Sequence, residues 1–315
     1  MKMKKKQSIV KIIPFFILSF SLIIFQILNS NFLSIYNFNN IVMQSAILLI
    51  LSMGQTFVIL TGNIDLSIGN LVGFCGVITA LTVSYLGPLA IIVGPLVGLG
   101  SGYLQGIILV KGGIPSFLVT LGMSLILEGL TLFATKGRII RYNSVLLQKL
   151  AITSFFKFFS VLGIWSITIL VIAVFLAKYT RFGRYSYMIG GSEKVAVLCG
   201  VPTNMYKIYT FMFIGLLGGL GGSLLTARMG CAYPNMGGMQ LTFDTIIAVT
   251  LGGTAITGGI GSPMHSLLGV IIISILSNGL NVAGIGSYIQ IIIKGCTLIF
   301  AIYLTMDRSR VSLGK

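Results

Sequence analysis

The stretch Thr61-Gly62-Asn63-Ile64-Asp65-Leu66-Ser67-Ile68-Gly69 sets a carboxylate, an amide, two hydroxyls and two glycines between two long apolar runs. Such groups have two uses. Asn63, Asp65 and Ser67 are suited to hydrogen-bond a polar solute, and Asp65 is equally suited to accept backbone N–H groups around Ser67 and Ile68 as the cap of a following helix. In hydrocarbon, irregular backbone survives only when it is buried in protein or lines a wet cavity. Further polar groups inside apolar runs include Glu128, Asp244, Asn278, Asn281 and Lys294. Glu128 and Lys294 either pair, snorkel or face water. Asp244 reads as the start of a helix on the face opposite Asp65. Asn278 and Asn281, three apart, share a helix face and either bond solute hydroxyls or join helices. Together with Asn63, Asp65 and Ser67, the residues Glu128, Asn278 and Asn281 are the candidate lining of a pathway.

No bond-breaking chemistry is assembled by these residues. His265 is the only histidine, and Cys75, Cys199, Cys231 and Cys296 are scattered with no CxxC, so no metal site and no disulfide framework is expected. Paired carboxylates are lacking, which argues against an enzyme. The phosphate-binding GxxxxGK[ST] pattern is also missing, so no cofactor is expected on this chain.

The elements that must position these groups are membrane helices. Of 315 residues 56% are hydrophobic and 8% charged, with a mean hydropathy of +1.03, whereas a soluble domain carries roughly 25% charged residues. The fold class expected is an all-α polytopic membrane protein of about ten transmembrane helices, with broken or re-entrant segments. Forty glycines suit closely packed helices. The net charge of +16 is not a nucleic-acid footprint, because the basic residues gather at segment ends, where they set orientation.

Residues 1–11 form a basic N-terminus, 12–306 the membrane domain, and 307–315 a tail. The first apolar run, Ile12–Leu28, ends in Asn29-Ser30-Asn31 with no small-residue cleavage site, and reads as an uncleaved helix with its N-terminus cytoplasmic. Further spans are expected at 44–60, 70–86, 89–110, 116–135, 161–177, 208–227, 243–257, 264–280 and 285–304. An even count puts both termini on one side, and most of the 21 basic residues place that side in the cytoplasm. One connection disagrees: 136–160, external in this topology, carries Lys136, Arg138, Arg141, Lys149 and Lys157. Thr250–Ser262 loosely echoes Leu60–Gly69, as two repeated halves would.

The connection 178–207 is too polar to span. Ser192 is placed to cap a short helix with Glu193 in its first turn, stopped by Gly200 and Pro202. So a short cytoplasmic helix is expected there.

Six segments in order carry a resemblance: GQTFVILTGNIDLSIGNLVG (54–73), GGIPSFLVTLGM (112–123), GLTLFATKGR (129–138), TRFGRYSYMIGGSEKVAVLCGV (180–201), FDTIIAVTLGGTAITGGIGS (243–262) and SNGLNVAGIGSYIQIIIKG (277–295). In these the chain resembles the permeases of ribose-type sugar importers of the ATP-binding-cassette class, in the larger group that includes branched-chain amino acid permeases. The resemblance implies a bacterial inner-membrane subunit that passes a monosaccharide inward. It also implies a second permease subunit, identical or not, an extracytoplasmic sugar-binding protein, and a cytoplasmic ATPase that holds the ATP and Mg. Gly191, Ser192, Glu193, Lys194, Ala196 and Gly200 would then grip the ATPase, and Lys136, Arg138 and Arg141 would meet acidic groups of the binding protein. The family's Glu-Ala-Ala, three residues, Gly pattern reads here as Lys194-Val195-Ala196 and then Gly200, with no acidic residue nearer than Glu193. The 136–160 loop is shorter than in ribose permeases. The competing expectation is a self-sufficient carrier driven by protons or sodium, which would need titratable groups in the pathway; only Glu128 and Lys294 lie deep enough.

Overall fold

The computed structural model describes residues 18–155 and 159–305; the basic N-terminus at 1–11 and the tail at 307–315 lie outside them. Almost every described element is a helix. They are α1 (Leu18–Leu28), α2 (Ile35–Leu60), α3 (Ile68–Leu86), α4 (Val93–Gly112), α5 (Ser116–Thr135), α6 (Val145–Ile152), α7 (Val161–Tyr179), α8 (Arg181–Gly191), α9 (Glu193–Leu198), α10 (Thr203–Met229), α11 (Gly238–Leu251), α12 (Pro263–Val282) and α13 (Ser287–Thr305). Among the described residues six runs are long and apolar enough to cross a membrane; one of them, 68–112, contains both α3 and α4, joined through a 3-10 turn at Gly87–Ile92. Three shorter apolar helices, Leu18–Leu28, Gly238–Leu251 and Ser287–Tyr303, accompany them.

Two long helices, α2 and α10, hold the core. Residues 46–60 of α2 are buried without interruption, as expected of a helix surrounded by others. The glycines explain how α10 approaches its neighbour α4. Gly94, Gly98, Gly102 and Gly106 recur every fourth residue and so line one face of α4. A Cβ on Gly98 would stand 2.1 Å from the Gly215 carbonyl oxygen, and one on Gly219 would stand 2.1 Å from that of Gly94. The two backbones are therefore in direct contact along this stripe, the close approach that small residues permit in membranes.

Several boundaries differ from those expected. α2 begins at Ile35, not near 44, because the Ser34 hydroxyl accepts from the Asn37 amide N–H and caps the helix. The Asn37 side chain is then buried in a reciprocal amide pair with Asn278 of α12, at 2.8 and 3.0 Å. α11 begins at Gly238, so Asp244 lies within the helix and not at its start. The 178–207 connection contains α8 as well as the short α9. The 136–160 connection carries α6 and two small strand pairings: β1 (Ile140–Arg141) pairs antiparallel with β4 (Cys231–Ala232), and β2 (Ser154–Phe155) with β3 (Phe159–Ser160).

Candidate functional site: two helix breaks and the handle beneath them

Between α2 and α3 the chain turns at Thr61 and Gly62 and runs irregularly from Asn63 to Ser67, and α5 supplies its missing hydrogen bonds. The Ile64 N–H donates to Ser116 Oγ at 3.1 Å and the Leu66 N–H to Thr120 Oγ1 at 3.0 Å; the Asn70 side-chain amide donates to Ser124 Oγ at 2.9 Å. The spacing has a geometric cause. Four residues of helix rise about 6 Å, and two residues of extended chain rise about 6.6 Å. Hydroxyls at i and i+4 therefore keep step with the N–H groups of Ile64 and Leu66, while Ser124 at i+8 meets the Asn70 side chain, already in α3. Sequence reasoning missed this stripe, although Ser116, Thr120 and Ser124 stand out at helical spacing in an apolar run.

Asp65 is buried in the break. Its Oδ1 accepts from the Ser67 N–H and the Ser67 hydroxyl, both at 2.7 Å, while Oδ2 has no partner among the described residues. Ser67 Oγ also lies 3.2 Å from Gln105 Oε1, and Gln105 Nε2 lies 3.4 Å from Ser101 Oγ. A single hydroxyl proton cannot serve both Asp65 and Gln105. Turning the Gln105 amide over resolves this: Nε2 donates to Ser67 Oγ, Ser67 donates to Asp65, and Ser101 donates to Oε1. Asn63 is half-buried and donates to Thr61 Oγ1 at 3.0 Å.

The second break, 252–262, joins α11 to α12 at the same end of the bundle. The Gly259 N–H donates to the Leu60 carbonyl at 3.0 Å. α8 lies beneath both breaks. A Cβ on Gly190 would stand 1.8 Å from the Leu60 oxygen and 2.5 Å from the Gly259 nitrogen, so at this position only glycine lets the three backbones meet. Tyr187 donates its hydroxyl to the Gly261 carbonyl at 2.9 Å; burial raises its pKa above that of an ordinary phenol, which keeps the donor protonated. Phe182 packs against Phe57 of α2 and Phe213 of α10, with centroids 4.9 and 5.8 Å away.

From this joint the chain continues directly into α9. Ser192 is its N-cap, accepting from the Val195 N–H; Glu193 sits in the first turn and pairs with Lys207; Gly200, at φ 76°, turns the chain away. Ala196 alone points inward, toward Ile189 and Val201. Gly191, Ser192, Glu193, Lys194 and Gly200 are exposed, as are Val195, Val197 and Leu198, the last at 87%. A capped helix of six residues thus presents an unpartnered apolar edge.

At the far end of α5, about 30 Å from Ser116 at 1.5 Å per residue, Lys136, Arg138 and Arg141 are exposed. Lys136 ends α5 in the left-handed region, and Arg141 lies in the β1–β4 pairing. Tyr142 ties this loop down by donating to the Thr226 carbonyl at 2.9 Å, and burial pushes its phenol up to about 12.

The structure separates the deep polar groups. Lys294 pairs with Asp244 at 2.7 Å and not with Glu128, which is exposed beside Asn70. Asn278 is taken up by Asn37, and Asn281 Oδ1 accepts from Gln290 Nε2 at 2.8 Å. No group of three or more His, Cys, Asp or Glu side chains able to hold a metal ion occurs among the described residues.

Residues 37–302 match the family model described as "Branched-chain amino acid transport system / permease component". A ribose import permease protein of Bacillus subtilis (strain 168) is 37% identical over 306 residues, covering 95% of this chain and 94% of that protein. A D-allose transport system permease protein of Escherichia coli (strain K12) is 33% identical over 92% of this chain and 90% of its own length. A xylose transport system permease protein from the same strain is 28% identical, over 89% and 87% respectively. No solved structure matches.

Proposed function

For this chain, which belongs to the family of the branched-chain amino acid transport system permease component, we propose the role of membrane subunit in an importer that carries a monosaccharide into the cytoplasm, worked by an ATPase on another chain. The ribose, allose and xylose permeases among its relatives support the sugar class. One observation carries the mechanism. α9 is exposed, capped at its start and apolar along its outer edge, and it follows without a gap from the α8 joint where both helix breaks meet. A motor moves a two-state protein only by binding one state better than the other. An ATPase gripping Gly191, Ser192, Glu193, Lys194, Ala196 and Gly200 would hold a handle that reaches both breaks through Gly190 and Tyr187.

The remaining assignments follow from this orientation. The α9 end and both termini face the cytoplasm, and Lys136, Arg138 and Arg141 face outward, where they steer an acidic sugar-binding protein to its seat. A second permease subunit completes the pathway. The lining falls to Asn63 in the break and Glu128 on α5, with the buried Asp65–Ser67 pair holding the break in shape behind them. Asn278 and Asn281 serve helix packing through Asn37 and Gln290. An ion-driven carrier fits less well, because Lys294, one of the two deep groups it would need, is held by Asp244.

The test is substitution of Gly200 in the complete complex. Gly200 is exposed, has open space around it and sits at φ 76°, so Gly200→Val adds strain and bulk on the gripped surface alone. ATP hydrolysis without matching sugar uptake is the expected result, with membrane insertion intact. Unchanged uptake per ATP would remove α9 from the coupling path.

A further inference from the structure

Four of the chain's five acidic residues are described. Asp244 pairs with Lys294, Glu193 pairs with Lys207, and Asp65 is buried against Ser67. Glu128 differs from all three. It is exposed, and among the described residues it has no cation within ion-pair distance. It lies on α5 about 18 Å along the axis from Ser116 and about 10 Å from Thr135, at 1.5 Å per residue. That depth is inside the hydrocarbon layer, where an ionisable side chain faces a water-filled cavity or a partner and not lipid.

Its carboxylate accepts from the Asn70 amide, whose Nδ2 is shared among Ser124 O at 3.1 Å, Ser124 Oγ at 2.9 Å and Glu128 Oε2 at 3.4 Å. The amide is thus fixed by Ser124, and the carboxylate takes only the long, third share of it. Glu128 therefore keeps nearly all of its acceptor capacity, four lone-pair sites on two oxygens. A neutral solute rich in hydroxyls supplies what such a group lacks, because each hydroxyl donates and two adjacent ones can reach both carboxylate oxygens.

We propose that Glu128, positioned by Asn70 and Ser124, is a solute-contact site in the pathway that takes adjacent hydroxyls of a neutral sugar and turns away anionic sugars such as phosphate esters. The site rests on the importer reading above and adds the contact that the passing solute makes.

The experiment uses the complete complex in proteoliposomes. In Glu128→Cys, a membrane-impermeant, charged methanethiosulfonate reagent is applied in the nucleotide-free and ATP-trapped states. Modification at position 128 is read by peptide mass spectrometry, so the native cysteines stay in place. Labelling in at least one state is expected, slowed at least threefold when ribose-loaded binding protein is present. In Glu128→Gln, ribose turnover is expected to fall about tenfold, the worth of one hydrogen bond to a charged group, with the binding protein's affinity for sugar and its stimulation of ATP hydrolysis unchanged. A position 128 that stays unlabelled in both states, as lipid contact or an ion pair with a second subunit would leave it, overturns the site. So does full turnover in Glu128→Gln. A parent complex that moves no sugar with ATP sinks the importer reading itself, whereas a transporting parent with position 128 inaccessible sinks only this site.

Discussion

Replacing Gly190 by alanine tests the joint between α8 and the two breaks. The added Cβ would stand 1.8 Å from the Leu60 oxygen, and real Cβ atoms stay beyond 3.0 Å. Backbone must therefore move by at least about 1.2 Å, the difference between those distances. The obstructing atoms are the Leu60 carbonyl and the Gly259 nitrogen, which are already bonded to each other, so neither can turn aside as a side chain would. Overpacking of this kind costs about 1–3 kcal/mol. If the strain falls on one transport state only, it shifts the balance between states by about 5–150-fold. Sugar uptake and ATP hydrolysis are measured together on the complete complex in proteoliposomes, so that the amount of folded protein cancels in their ratio. Uptake per ATP is expected to drop at least about fivefold, toward the lower end of that range, while hydrolysis continues. Tyr187→Phe removes only the hydrogen bond to Gly261 and is expected to lower the ratio in the same direction by a smaller factor. A parent-like ratio in Gly190→Ala refutes the joint, because no gearing could pass through a contact that tolerates such a displacement.

Further outcomes follow from the same geometry. Thr120→Val keeps the shape of α5 but leaves the Leu66 N–H without its acceptor; a loss of about 1–3 kcal/mol is expected, read as a lower midpoint in denaturant-dependent unfolding in detergent, and Thr120→Ser should restore most of it. Lys294→Met leaves Asp244 partly buried and uncompensated, at a cost of up to about 3–5 kcal/mol, that of breaking a fully buried pair; thermal inactivation should come earlier, with recovery when Asp244→Asn is added. Reversing Lys136, Arg138 and Arg141 to glutamate should slow the association of the binding protein most at low salt, since exposed rim charges act chiefly on encounter; association kinetics in 20 and 500 mM salt, bracketing roughly the range of Debye screening, will show it.

Much of the helical framework was legible in the sequence, because apolar runs bounded by glycine, proline and charge are strong signals in membranes. The short α9 was legible for a local reason: Ser192, Glu193 and Gly200 are a cap, a first-turn acid and a stop within nine residues. What escaped depends on distant partners. Asn37 looked like part of a loop, yet its amide finds Asn278 across 241 positions, and the pairing lets α2 begin a full two turns early. Asp244 looked like a cap because a carboxylate is costly inside a membrane helix, but Lys294 from α13 neutralises it there. α8 was hidden by Arg181 and Arg184, which made the segment look solvated, although Gly183, Ser186 and Ile189 give it one buried face. The joint at Gly190 had no local signature, since a glycine required by another backbone's carbonyl looks like any other glycine.

We propose that this chain is a passive gate worked from the α9 end by nucleotide hydrolysis elsewhere. The most direct measurement is uptake of labelled ribose into proteoliposomes, comparing the chain alone under proton and sodium gradients with the complete complex supplied with sugar-loaded binding protein and either ATP or ADP. Uptake only in the complete complex, and only with ATP, is the predicted result. Accumulation by the isolated chain under an ion gradient would contradict it.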